Sequence, residues 1–427
     1  MPLLPYRDPA PSPTLMRVLG HVNRLAVLPH VLRVSRLDLP AADRRRLQGA
    51  VNQHTAAFVA PGHPEFMTDW MIDKEISRQF APRLASWAAQ DIVNTSPLAQ
   101  RFWLANGLIA NTPGGGGKAY SLKNARAGHG VLLHPEGAVN WQAEHISPLH
   151  PGAIDMAVTM AQVLEAEQDP RPVFVVPMVW RLRFTSDVSV LLIREMQHIE
   201  RARELAVWPA TQPADRLAGL LGALLTQQAH ALGLRRPELT VAKSDRRYFD
   251  AQAEIITEIR GRLSKSYGPL DDDPMHAMRT IGRGIRRRAN VDPERAARDR
   301  ALMMELHRLS RIDPALYGKD TLTQEQIAEI LKATRTALVT SGFRNRLHNF
   351  LPRAVAPRVA HVRVAEPMDI RALIASGVSA TSMLTALRSL LQDAQDALGT
   401  ELEQTVRPFR QPSIMAPRLS NGYAAAV

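Results

Sequence analysis

The chain has 427 residues, 53 of them Lys or Arg against 41 Asp or Glu, for a formal charge of +12, with no Cys and 45% apolar side chains. That much apolar material can bury a large core, which argues against global disorder. The lack of Cys excludes disulfide scaffolds, thiolate metal sites, cysteine nucleophiles and ordinary zinc fingers.

The length suggests two or three domains. The charge is uneven: residues 1–200 carry 19 basic and 17 acidic side chains, whereas residues 201–427 carry 34 and 24. A basic second half favours an anionic partner, either a membrane surface or nucleic acid. Early Pro2, Pro5 and Asp8 are unlike a leader peptide. Apolar stretches are broken by charge before the roughly 20 residues that a membrane span needs. The expected location is cytoplasmic, peripheral to the inner face of the membrane.

Residues 1–14 read as an irregular Pro-rich arm, 15–37 as an amphipathic helix interrupted at Pro29, and 41–54 as a helix. Residues 55–60 (TAAFVA) form a short apolar run that ends at Pro61-Gly62, the pattern of a buried strand feeding a loop. The spacing predicts helices over 70–90, 121–128 and 152–167, and strands over 129–133, 173–180 and 187–193. Alternating strands and helices predict an α/β fold, a central and mostly parallel sheet flanked by helices.

From 196 to 350 helical patterns dominate: 196–206, 215–233, 248–266, 274–288, 293–310 and 323–349. Asp271-Asp272-Asp273-Pro274 and Asp292-Pro293 read as helix starts. Residues 359–365 (VAHVRVA) then alternate as a strand, and a helix follows over 380–405. A lone strand is not expected to stand by itself, so it should return to the first sheet. The resulting organisation is an arm and helices over 1–50, an α/β domain over 51–195, an all-helical insertion over 196–355, a returning strand and helix over 356–405, and a loose tail over 406–427.

Three segments carry candidate chemistry. Gly62-His63-Pro64-Glu65-Phe66-Met67-Thr68-Asp69 follows the first strong strand, Leu132-Leu133-His134-Pro135-Glu136-Gly137 follows the second, and Val175-Val176-Pro177-Met178 lies inside the third. A His and an Asp in one strand-to-helix loop can pair. The carboxylate then fixes the imidazole tautomer and frees the other ring nitrogen to take a hydroxyl proton. Open α/β sheets place ligands at such strand ends.

These blocks resemble, in order and spacing, the glycerolipid (phospholipid/glycerol) acyltransferases. That family has a His, four residues, then Asp; a later Phe-Pro-Glu-Gly; and a Pro in an apolar strand. Pro148-Leu149-His150-Pro151-Gly152-Ala153 and Val364-Ala365-Glu366-Pro367 are similar to two further family segments. The likeness spans roughly 50–195 and 355–370. It departs in three places: five residues separate His63 from Asp69, Thr68 stands at the family's Asp position with Asp73 further along, and two family Arg positions hold other residues.

The resemblance implies an O-acyltransferase that moves a fatty acyl group from acyl-CoA or an acyl-carrier protein to a hydroxyl of a glycerolipid-like acceptor. His63 would be the general base and Asp69 its orienting partner, with Glu65 a weaker substitute. Pro135, Glu136 and Gly137 would position the acceptor, and Pro177 would shape the acyl tunnel or fix its strand. The Gly114–Gly117 run reads either as a flexible loop or, through Gly115, as a phosphate cradle, with Lys118, Lys123 or Arg126 supplying charge. His134 reads chiefly as a packing or hydrogen-bonding residue beside the acceptor. Without Cys or a Gly-x-Ser-x-Gly elbow, direct transfer is expected rather than an acyl-enzyme.

No metal motif is present, and no cofactor is expected beyond the acyl donor as co-substrate. The Arg-rich 279–288 stretch reads as a solvated helix face or as a contact for an anionic membrane. Nucleic acid is not expected there, because 275–311 has no Phe, Tyr or Trp to stack on bases. The alternative function is a lipid-binding or membrane-associated protein that keeps this fold without turnover.

Overall fold

The structure, a computed structural model, describes residues 3–410 apart from 66, 81–83, 138, 140, 207–210, 236–246, 272–273, 340–341 and 343–353. In chain order it opens with α1 (Pro13–Val22), a π-helical stretch (Asn23–Val31) that contains Pro29, β1 (Val34–Asp38) and α2 (Ala41–Ala50). Next come β2 (Ala56–Pro61), α3 (Thr68–Phe80), β3 (Ala85–Ala89), α4 (Gln90–Val93), α5 (Pro97–Ala105) and β4 (Leu108–Asn111). The first half closes with α6 (Gly117–Arg126), β5 (Val131–Leu132), α7 (Gly152–Ala166) and β6 (Val173–Phe184).

A helical run follows: α8 (Ser189–Ala202), α9 (Pro213–Ala231), α10 (Tyr248–Tyr267), α11 (Pro274–Arg288), α12 (Pro293–Ser310) and α13 (Pro314–Tyr317). After β7 (Thr321–Thr323) and α14 (Gln324–Leu338) come β8 (Arg358–Val364), β9 (Met368–Asp369), α15 (Ile370–Ala375), α16 (Ala380–Glu401) and β10 (Pro408–Arg410).

The chain forms two compact units, residues 1–185 with 351–405, and residues 186–350 with 406–427. The first is built on an eight-stranded, mostly parallel sheet of order β1-β8-β6-β2-β5-β3-β4, with β9 beside β6. Strand β8 runs antiparallel to β6, from Phe184↔Arg358 to Met178↔Val364, and parallel to β1. The period-2 pattern sorts side chains to two faces. Phe58, Ala60, Val175 and Val179 pack under α7 and α16, whereas Val59, Val176, Met178, Val362 and Val364 pack under the π-helical stretch, α2 and α3. The central strands read as continuous apolar runs because both faces are covered.

Pro177 sits mid-sheet, where a missing N–H would normally break the ladder. Its carbonyl accepts from Ala365, just where β8 has ended and β9 has not begun, so its side of the ladder needs no donor.

In the second unit, Asp292 caps α12 through Arg295 N, with Pro293 in the first turn, and Thr323 and Gln326 form a reciprocal capping box on α14. The region is not all helical: β7 pairs antiparallel with β10, so the segment expected as a loose tail supplies a strand at Pro408–Arg410.

Three further expectations fail. Residues 187–193 begin α8, because Val188, Leu192, Met196 and Ile199 recur at helical spacing and are buried together. The helix expected over 70–90 stops at Phe80, and Ala85–Ala89 is a strand. The helix expected to 37 gives way to the edge strand β1. The tail of the helix expected to 349 lies outside the described residues beyond 339, as do Asp272 and Asp273.

Candidate active site

The site stands at the C-terminal ends of β2 and β5, which pair in parallel through Phe58↔Val131 and Val59↔Leu132. This register brings the loops after the two strands side by side, and each loop carries a histidine. His63 Nδ1 lies 2.7 Å from Asp69 Oδ2. Asp69 is fully buried in the first turn of α3, and both its oxygens also accept from the Glu65 N–H, at 3.0 and 2.9 Å. A helix N-terminus favours a carboxylate at this position.

The backbone between His63 and Asp69 passes through a left-handed residue. Met67 takes φ +61°, a left-handed conformation uncommon for a side-chain-bearing residue, immediately before α3 begins at Thr68.

With Nδ1 held by a carboxylate, the Nε2 edge of His63 is left for a reacting group. His63 lines a small cleft together with Gly62, Glu136, Gln142, His145 and Trp180. About 20% of its side chain stays exposed. Burial and the neighbouring His134 charge push its pKa well below that of a free imidazole. Asp69 is pushed well above the usual carboxylate range by burial and by the Asp73 and Glu136 charges, against the Trp180 indole N–H and Arg358.

His134 stacks on His63, with ring centroids 4.1 Å apart and planes 18° from parallel. Its Nδ1 is 3.0 Å from the Gly62 carbonyl and its Nε2 is 3.0 Å from Asp73 Oδ2. Asp73 lies four residues after Asp69, hence on the same face of α3. The site thus holds two His–Asp pairs, not one. Spacing from His63 along the chain does not single out Asp73. The i, i+4 spacing of two aspartates on a buried helix face was the signal.

Several expected binding residues do other work. The Glu136 carboxylate, 1% exposed, accepts from the His63 N–H at 2.7 Å and from the Ser147 N–H at 2.9 Å. It clamps two loops to each other, and its oxygens are occupied by backbone rather than held out for an acceptor. Glu65 is not a stand-in for Asp69: it forms a buried ion pair with Arg358 at 2.7 Å. Pro135 is buried, with its carbonyl accepting from the His150 N–H at 2.7 Å. Gly137 has φ +71°, and an added Cβ would lie 2.4 Å from the His150 ring.

Gly115 and Lys118 are not brought to His63. They follow β4, three strands from β2, or about 14 Å at ordinary strand spacing. The glycine run makes room for Tyr6: a Cβ at Gly115 or Gly116 would come within 3.0 and 2.9 Å of that ring. Pro177 is buried in β6, in register with Ala60, as a strand residue.

The sequence also gave no notice of Gln142, His145, Trp180 and Gln395 as cleft residues. The loop that carries Gln142 and His145 is tied down by α16: Gln392 donates to the Glu144 carbonyl at 3.0 Å and accepts from the Ile146 N–H at 2.9 Å. The 246-residue separation of the second pair explains why local pattern could not reveal it.

No family model matches the chain. No curated protein matches it either.

Proposed function

We propose that the protein is an O-acyltransferase of the glycerolipid type, acting by direct transfer. The observation that carries this is the 2.7 Å contact between His63 and the buried Asp69 at the C-terminal end of β2, where His63 also lines a small cleft. His63 Nε2 takes the proton of an acceptor hydroxyl as its oxygen attacks the thioester carbonyl of acyl-CoA or acyl-carrier protein. The tetrahedral intermediate collapses, the C–S bond breaks, and the imidazolium returns the proton to the leaving thiolate. Asp69 holds the tautomer and offsets the positive charge as it forms. Glu136 holds the loop that carries the base, and Gly137 shapes the loop that carries Glu136. The acceptor class and the acyl donor come from the resemblance of the three sequence blocks.

The exposed Arg283, Arg286 and Arg287 of α11 support a peripheral location on an anionic membrane face. Binding to anionic vesicles should then fall steeply with salt.

Incubation with labelled acyl donor and lipid acceptors should yield acylated lipid. His63→Ala should lower the rate by about 100-fold or more, within the range for a lost general base. Equal turnover by wild type and His63→Ala would overturn the reading. A second reading, lipid binding without turnover, draws on the small size of the cleft beside His63. It predicts retained lipid without product.

A further inference from the structure

His134 is the second imidazole of the site, and its surroundings define its charge. Its Nδ1 faces a carbonyl oxygen, that of Gly62, which only an N–H can satisfy. Its Nε2 faces Asp73 Oδ2 at 3.0 Å. Asp73 is 1% exposed, and His134 is its ion-pair partner. The ring lies between a carbonyl that takes the Nδ1 proton and a carboxylate oxygen 3.0 Å from Nε2, an ion-pair contact that favours a proton on both nitrogens and hence a positive charge. That charged ring lies flat on His63, 4.1 Å away. Its bond to Gly62 also fixes the peptide that leads directly into His63. At the matching position the third block of the resembling family carries Phe, so an imidazole there is not part of the family pattern.

We propose that His134 and Asp73 are positioning residues for His63, a locked imidazolium–carboxylate pair whose stacked positive ring keeps the neighbouring ring unprotonated and aligned. This rests on the reading of His63 as general base.

The charges that face His63 come from several elements. Asp69 and Asp73 approach from α3, Glu136 from the β5 loop and His145 from the loop lining the cleft, while Arg358 acts from β8 through its pair with Glu65. The carboxylates favour a proton on His63, and burial and the His134 charge oppose it. The net direction for His63 is downward, whereas His134 itself is raised because Asp73 and the Gly62 carbonyl outweigh its burial. A base held this way stays competent below the pH at which a free imidazole takes up its proton.

The experiment is a pH titration of ring nitrogens by NMR on the full chain labelled with ¹⁵N-histidine. It compares wild type with His134→Gln, which keeps a donor for Gly62 but no charge, with Asp73→Asn, which removes the counter-ion, and with His134→Phe. The His63 midpoint should rise by about one pH unit in each variant that folds by circular dichroism. The acid limb of kcat/KM for acyl transfer should move up with it. An unchanged or lowered His63 midpoint in folded Asp73→Asn and His134→Gln overturns the inference, and so does a loss of rate with an unmoved acid limb. Wild type that titrates as expected but transfers no acyl group overturns the proposed function instead, so the two failures are distinct.

Discussion

At the scale of single residues, the site separates groups proposed to meet a substrate from groups that hold the first kind in place. His63 belongs to the first class. Glu65, Glu136 and Asp69 belong to the second, each buried and each bonded to backbone or to an opposite charge. The Glu65–Arg358 pair is the clearest case. Removing one partner strands a buried charge, so Glu65→Ala should destabilise the protein by about 3–5 kcal/mol. Urea unfolding monitored by circular dichroism checks this, and a loss below about 1 kcal/mol would show the Arg358 charge to be well solvated. Met67 makes the opposite prediction. Its left-handed backbone is one that glycine adopts without penalty, so Met67→Gly should stabilise by about 0.5–1 kcal/mol while keeping the five-residue spacing. A lowered melting temperature would mean that the Met67 side chain is worth more than its backbone costs.

At the scale of elements, two adjacent parallel strands and one helix account for the site. β2 and β5 end side by side and deliver the two histidines, while α3 presents two aspartates one turn apart. The loop after β5 can turn only because Gly137 takes φ +71° beside His150. Gly137→Ala combines the left-handed penalty with a 2.4 Å clash against that ring, so it should cost about 2 kcal/mol or more. Because the loop carries Glu136, the same substitution should also lower activity. Thermal unfolding and turnover of the one variant test both expectations, and an unchanged melting temperature would refute the argument. The Pro177 position shows the same economy. A residue without an N–H sits where the partner strand has paused between Val364 and Met368.

At the scale of the molecule, both units hold a histidine whose pKa is pushed down. In the second unit, burial and Arg311 hold the His307 pKa down at about 4. The unfolded chain therefore binds a proton that the folded unit refuses between pH ~6.5 and about 4. This contribution to stability is intact above pH ~6.5 and is lost as pH falls toward about 4. His307→Leu should flatten the pH dependence of unfolding free energy in that window by up to about one proton. An unchanged slope in denaturant titrations at pH 6.5, 5.5 and 4.5 would refute it. The first unit closes on itself across a long gap in sequence: Thr185 N donates to Pro357 O, next to the Phe184↔Arg358 pair. A chain in which a short Gly-rich loop joins residue 185 to residue 354 should therefore fold cooperatively and keep the His63–His134 stack. Non-cooperative unfolding of that chain would show that the first unit depends on the second.

The sequence alone sufficed wherever the information was local. The apolar run at 55–60, the alternation at 359–365, the Asp292-Pro293 helix start and the His63–Asp69 loop were all visible in windows of a few residues. β1, β3 and β4 escaped notice because strands of four or five residues beside helices carry no clear period of their own and are selected by their neighbours in the sheet. The roles of Glu65 and Glu136 depended on partners 293 and 73 residues away, and those of Gly115 and Lys118 on the order of strands. The pairing of His134 with Asp73 needed the β2–β5 register and the pitch of α3 together. Chemistry within one turn of chain is written in residue type and spacing. Chemistry between loops is decided by the sheet, because hydrogen-bond register and burial determine which charged groups meet and which are excluded from water.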